Sequence, residues 1–172
     1  MVELRPILES HADALFPLIF NTSITETIQW DGPHSIEQYR EALREREQQT
    51  RSGLLHVFTV FSSEAVPMGT IDIRPDPAIA SASVGLWIGA KFHGMGHGTE
   101  AVRLITRYGF ENLKLQRIHA SVFAGNIASR RIFERNGFQL EGIFPLAVLK
   151  RGVFLDAWSL RILREVYEAS LA

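Results

Sequence analysis

His93-Gly94-Met95-Gly96-His97-Gly98-Thr99-Glu100-Ala101 sets three alternating glycines directly before an apolar pattern of helical period. Glycine takes positive φ and lets a ligand approach the backbone with no Cβ in between. The first turn of a helix leaves N–H groups unpaired, and its dipole favours an anion there. Together these features describe a phosphate cradle. A plain strand-to-helix turn seldom uses so many glycines, because each costs backbone entropy.

Outward from the run, Ser83–Gly89 reads as the strand leading in, and Ala101, Leu104, Ile105 and Tyr108 mark one face of a helix that fades near Leu113. Upstream, Val2–Pro6 reads as a strand and His11–Phe20 as a helix capped by Ser10. Ser35 and Gln38 form a capping-box pattern, opening a helix that carries Ile36, Tyr39 and Leu43 and ends near Gly53. Leu54–Phe61 and Met68–Ile73 read as an antiparallel pair joined at Ser62–Val66. The least structured stretches are Asn21–Pro33, Ser62–Glu64 and Pro75–Ala80. Downstream lie a strand over Arg117–Phe123, a helix over Ile127–Arg135 stopped at Asn136-Gly137, and a hairpin of Phe138–Leu149 with Val153–Leu163. The alternation of helices and hairpins predicts an α/β (α+β) fold, one domain over residues 1–172, with a mixed and mostly antiparallel sheet.

Composition narrows the function. The chain has 172 residues, 46% hydrophobic and 22% charged, which suits a globular domain with a sizeable core. Net charge is −1, so no global field draws it to nucleic acid or to an anionic membrane, and neither is expected as a partner. There is no cysteine, which removes disulfides, thiolate metal sites and a cysteine nucleophile; any thiol chemistry must come from a bound molecule. His93 and His97 are four apart, but glycines between them argue against a helical metal pair, and no metal site is expected. Met1–Glu9 lacks a signal-peptide core and no apolar stretch is long enough to span a bilayer, so a cytoplasmic location is the expectation.

Three phosphate ligands compete for the glycine run. A P-loop needs a lysine before its Ser/Thr, and His97-Gly98-Thr99 has none. A dinucleotide site is met formally by Gly96-His97-Gly98-Thr99-Glu100-Ala101 (G-x-G-x-x-A). It wants an acid ending the next strand, and Val122-Phe123-Ala124-Gly125-Asn126 offers none. The third ligand is coenzyme A. The segment from Gly85 to Ala101 resembles the Q/R-x-x-G-x-G/A motif of the GNAT (GCN5-related) N-acetyltransferases, with His93, Gly96 and Gly98 at its defined positions and His93 departing from the usual Gln/Arg. Asn126-Ile127-Ala128-Ser129 through Asn136-Gly137-Phe138 is similar to the N-x-x-S…G-F signature of the same family. More narrowly it resembles the RimJ/RimL-like subgroup that acetylates ribosomal-protein N-termini, which Leu4-Arg5-Pro6, Glu141-Gly142 and Asp156 also fit.

The resemblance implies a GNAT fold with splayed central strands, helices on both faces and direct attack of an amine on acetyl-CoA. It places the pyrophosphate on the N–H groups from Gly94 through Met95, Gly96, His97 and Gly98 to Thr99, beside His93. It places the pantetheine arm on the strand of Trp87 and Ile88, with Asn126, Ser129 and Arg135 also near the cofactor. Asn126 reads equally as a helix cap. The Ser129 hydroxyl would serve the departing sulfur, since Phe133 stands where many of these enzymes place an acidic tyrosine and cannot donate a proton. Arg130 and Arg131 are further candidates for a CoA phosphate, against a solvated helix face. A glutamate frequent in the family is Ser83 here, which leaves His93, His97, His119, Glu141 and Asp72 as candidates for the base. The implied acceptor is a protein N-terminus or a small amine, and the implied assembly is a homodimer. The alternatives are a catalytically silent CoA-binding module and a nicotinamide or nucleotide enzyme using the same glycines.

Overall fold

β-branched and aromatic runs, buried on both faces in the central strands, form one sheet in the computed structural model, which describes residues 1–171. Its strands are β1 (Val2–Pro6), β2 (His56–Ser62), β3 (Pro67–Asp76), β4 (Ser81–Ile88), β5 (Arg117–Phe123), β6 (Gln139–Lys150) and β7 (Val153–Leu163). They lie in the order β1-β2-β3-β4-β5-β7-β6. All neighbours pair antiparallel except β4 and β5, which run parallel.

Each face carries its own core. Helices α1 (Ala12–Ile19) and α2 (Ile36–Arg51) pack Leu15, Ile19, Tyr39 and Leu43 against Val57 and Trp87. The opposite face holds α3 (His97–Glu111), which buries Val102, Ile105 and Phe110 against Ile71, Ile73, Val84 and Ile118. Helix α4 (Ile127–Glu134) adds Phe133 to that second core, and α5 (Arg164–Ala169) closes the described chain. Strand alternation then dictates that Thr70, Asp72 and Arg74 of β3 look toward the α1/α2 face while Ile71 and Ile73 look away. Asp72 is set opposite Gly85, and Arg74 opposite Ser83.

The parallel pair decides the function of the fold. β4 and β5 are paired only over Ser81–Ser83 and Arg117–His119. Beyond that point they separate, so the second half of β4 keeps β3 on one side and has an open edge on the other. This is the split expected from the sequence.

Several local readings are corrected. Ser10 does not cap α1; it lies in a 3-10 turn over Glu9–His11, and His11 at the cap position makes no side-chain cap bond. The Pro75–Ala80 stretch, expected to be among the least structured, begins inside a strand: β3 continues to Asp76 and pairs Pro75 with Ala82. β2 begins at His56 opposite Ile73, so beyond that residue β3 is a one-sided edge, where proline is tolerated. The Asn21–Pro33 stretch holds a 3-10 turn over Ser23–Thr27, and α5 was not foreseen because six residues carry too little periodicity to read.

Candidate active site

The glycine run turns the chain from β4 into α3. Gly94 (φ +76°) and Gly96 (φ +81°) both occupy the left-handed region, and among the described residues a Cβ on either would meet nothing within 4 Å beyond its own chain neighbours. The space in front of them is therefore open. The first helical bond of α3 is Glu100 N–H to the Gly96 carbonyl at 3.0 Å. Among the described residues, no main-chain N–H from Gly94 to Thr99 donates to a protein acceptor. Unpaired amides, open space and the positive end of a fifteen-residue helix suit a diphosphate.

Gly98 has a different reason to be glycine. A Cβ there would come within 2.9 Å of Ile132 Cδ1 and 3.5 Å of Leu86 Cδ2, so it lets α3 approach α4 closely. Asn136 ties the same two helices, its Nδ2 donating to the carbonyls of Thr99 at 3.0 Å and Ile132 at 2.8 Å. Sequence reasoning took Asn136 only as a helix stop. The other motif residues take distinct places. His93 Nε2 donates to the Ile88 carbonyl at 2.7 Å, which fixes the loop to the end of β4. Met95 and Arg135 are exposed, and His97 meets the Phe92 ring edge-on. Arg130 is engaged with Glu134 and lies over Trp158, while Arg131 is exposed.

Where β4 and β5 part, a cavity of about 580 Å³ opens toward the α1/α2 face. Trp87 and Leu86 form one wall, Ser129 and Phe133 of α4 another. Trp87 is buried among the α1/α2 core residues. Asn126 caps α4, its Oδ1 accepting the Ser129 N–H at 3.1 Å. That cap presents the half-buried Ser129 hydroxyl to the cavity with no protein partner among the described residues. Phe133 is buried edge-on against Phe138, with ring centroids 5.1 Å apart.

The cavity contains one carboxylate, Asp72, which is only 6% exposed. Burial pushes its carboxyl up from the ordinary aspartate value, and Arg74, Arg46 and the Gly85 amide pull part of the way back. Arg74 Nη2 donates to Oδ2 at 3.0 Å and lies 2.9 Å from Oδ1, which has no aligned donor. Gly85 makes room for the carboxylate: a Cβ there would press within 3.1 Å of Oδ2. The other candidate bases do not line this space. Glu141 accepts from Arg117 and from Ser159 Oγ; burial alone would raise it, but these bonds outweigh burial and hold it below its ordinary value. His119 is lowered by burial and then by Arg117.

The remaining wall comes from the α1–α2 connection. Trp30 stacks on Tyr39 with ring centroids 6.0 Å apart, and the Arg46 guanidinium sits 5.8 Å from the Trp30 ring. Lys150, almost fully buried, clamps this segment by donating to Asp31 Oδ1 at 2.6 Å and to the Trp30 carbonyl at 3.0 Å.

A family model described as the Acetyltransferase (GNAT) domain matches residues 2–139. The chain belongs to the GNAT acetyltransferase family. It is an acetyl-CoA-dependent N-acetyltransferase with an amine-bearing acceptor. It is 33% identical over 139 residues to the probable N-acetyltransferase YjcK of Bacillus subtilis, covering 79% of this chain and 77% of that one. It is 25% identical over 159 residues to the ribosomal-protein-serine acetyltransferase of Escherichia coli, covering 90% and 86%. In fold it superimposes with a TM-score of 0.87 on the RimL ribosomal L7/L12 alpha-N-protein acetyltransferase in complex with coenzyme A, at 23% identity and with 96% and 95% covered. No helix among the described residues is long and apolar enough to cross a membrane.

Proposed function

We propose that this GNAT enzyme acetylates primary α-amines, with protein N-termini as its leading acceptors and the cytoplasm as its place of action. The observation that carries the reading is one cavity, at the split of β4 and β5, shared by the unpartnered Ser129 hydroxyl and the buried Asp72 carboxylate. Support for the acceptor comes from the likeness to the ribosomal-protein-serine acetyltransferase over 90% of this chain.

Acetyl-CoA brings an acyl group already activated as a thioester. The Gly94–Thr99 amides hold its diphosphate, and the free edge of β4 at Trp87 and Ile88 pairs with the extended arm. Asp72 receives the proton that the ammonium form of the acceptor must lose, leaving a neutral amine whose lone pair attacks the carbonyl carbon. The carbon–nitrogen bond forms as the carbon–sulfur bond breaks; the acquired positive charge on nitrogen is lost as its extra proton passes to the departing sulfur, to which the Ser129 hydroxyl donates a hydrogen bond, so that CoA leaves as the thiol. Asn126 positions Ser129 through the cap. No acyl-enzyme is needed, in keeping with the absence of cysteine. Most of the acceleration then comes from holding two reactants in line.

Release of CoA thiol, measured with acetyl-CoA and a panel of peptides, amino acids and polyamines, tests this reading. Turnover with α-amines is expected. Ser129→Ala should cut kcat by about tenfold or more, the scale of a hydrogen bond to a developing charge, while acetyl-CoA affinity changes far less. Tight acetyl-CoA binding with no turnover on any amine would favour a silent module instead.

A homodimer is proposed on separate grounds. The β6–β7 hairpin exposes Ile143, Phe144, Val153 and Phe154, and among the described residues β6 has a neighbour only in β7. Sedimentation should give twice the chain mass; a monomer at every concentration would refute it.

A further inference from the structure

We infer that the acceptor carries an anionic group close to its amine, held by Arg46 and Arg74 on the wall of the cavity across from α4. The inference rests on the acetyltransferase reading of that cavity and names its substrate class.

Two guanidiniums line the acceptor space, against one carboxylate. Asp72 engages only Nη2 of Arg74, and the remaining N–H groups of Arg74, whose side chain is 54% exposed, have no partner among the described residues. Arg46 is half-buried, and among the described residues no carboxylate pairs with it and no acceptor receives its N–H groups. Arg40, Arg44, Arg51, Arg103 and Arg107 each sit in an ion pair; Arg131 and Arg135 share the lack of one but are exposed, whereas Arg46 is half-buried and lines the cavity. Arg46 is nonetheless held in place. It leans on the Trp30 ring, which stacks on Tyr39 one face away, and Lys150 fixes the backbone of Trp30. A pre-positioned guanidinium fork with unsatisfied donors is suited to a carboxylate.

The signs are arranged to match a zwitterion. Asp72 lies deeper and attracts the ammonium, while Arg46 and Arg74 flank it and attract an anion a few bonds away. A polyamine would place a second cation against two arginines, a like-charge juxtaposition that costs affinity. Two kinds of molecule share the favoured chemistry: a free α-amino acid, with its own carboxylate, and a peptide N-terminus with an acidic side chain next to it.

The test uses CoA release by the full-length protein on matched pairs: Ser-Asp against Ser-Asn N-terminal peptides, free serine and glutamate against their amides, and spermidine alone. The anionic member of at least one pair should have a kcat/KM at least about tenfold higher, which is about 1.4 kcal/mol of discrimination. The pair that shows it tells peptide from amino acid. Arg46→Gln should collapse that ratio toward one by raising KM for the anionic acceptor, and Arg46→Lys should restore part of it. Acetyl-CoA affinity measured in parallel confirms that the variants are folded. Equal turnover of charged and neutral partners, or better turnover of spermidine, overturns the inference and leaves the acetyltransferase reading standing. No turnover on any amine overturns both.

Discussion

Asp72→Asn is expected to lower kcat/KM by about a hundredfold or more, the usual scale for loss of a positioned base. Acetyl-CoA affinity should stay near its original value, because the carboxylate belongs to a cavity whose lining includes no residue of the glycine run. The variant is nearly isosteric, and its stability gives a second, opposite signature. The folded protein raises the pKa of this group, so it binds the Asp72 proton more tightly than the unfolded chain does. The stabilising contribution is therefore complete below the ordinary aspartate value and is lost as pH rises through the folded one. At neutral pH the buried charge is a liability, which Asn removes. Arg74, more than half exposed, can turn to water. The melting temperature at neutral pH should hold or rise while activity falls. In the parent enzyme kcat/KM should climb with pH through a limb above the ordinary carboxylate range, and that limb should vanish in the variant. A drop in stability matching the drop in activity would make Asp72 a structural residue.

Gly69→Ala should have the second large effect, by a different route. A Cβ at this position would lie 2.1 Å from the Trp87 carbonyl oxygen and 2.9 Å from the Ile88 Cα, both backbone atoms that cannot rotate away. The end of β4 has to move, which should cost about 2–3 kcal/mol in chemical denaturation. That end is also the free edge proposed for the pantetheine arm, and His93 is fastened to it through the Ile88 carbonyl. Calorimetry should find acetyl-CoA bound at least about tenfold more weakly. Unchanged affinity in a folded variant would separate the end of β4 from donor binding.

The frame and the turn from β4 into α3 were legible because they are written locally. A strand, three glycines and a helix form a contiguous signal whose physics acts within a few residues, and so do the Ser35 and Asn126 caps. The far wall of the cavity was legible only in part, Trp30 and its loop being readable but not the side chains that meet them, because that wall is assembled from afar. Asp72, Arg46, Trp30 and Lys150 belong to four separate segments, and no spacing relates them. Asp72 could be weighed only as one remote base among several, and nothing in the sequence around Arg46 sets it apart from its charged helix neighbours. Its missing partner becomes visible once the neighbouring ion pairs are seen. Gly69 illustrates the same limit. Its need for a bare Cα comes from the backbone of Trp87, a partner distant in sequence.

The Lys150 clamp has a consequence for how such an enzyme diversifies. By joining the last hairpin to the segment around Trp30, it ties together two pieces that the proposed function gives to the acceptor, through contacts that include no residue of the turn from β4 into α3. Selectivity can then drift by exchanging residues on those pieces alone, while acyl-donor handling is inherited intact. One scaffold can thereby serve many recipients.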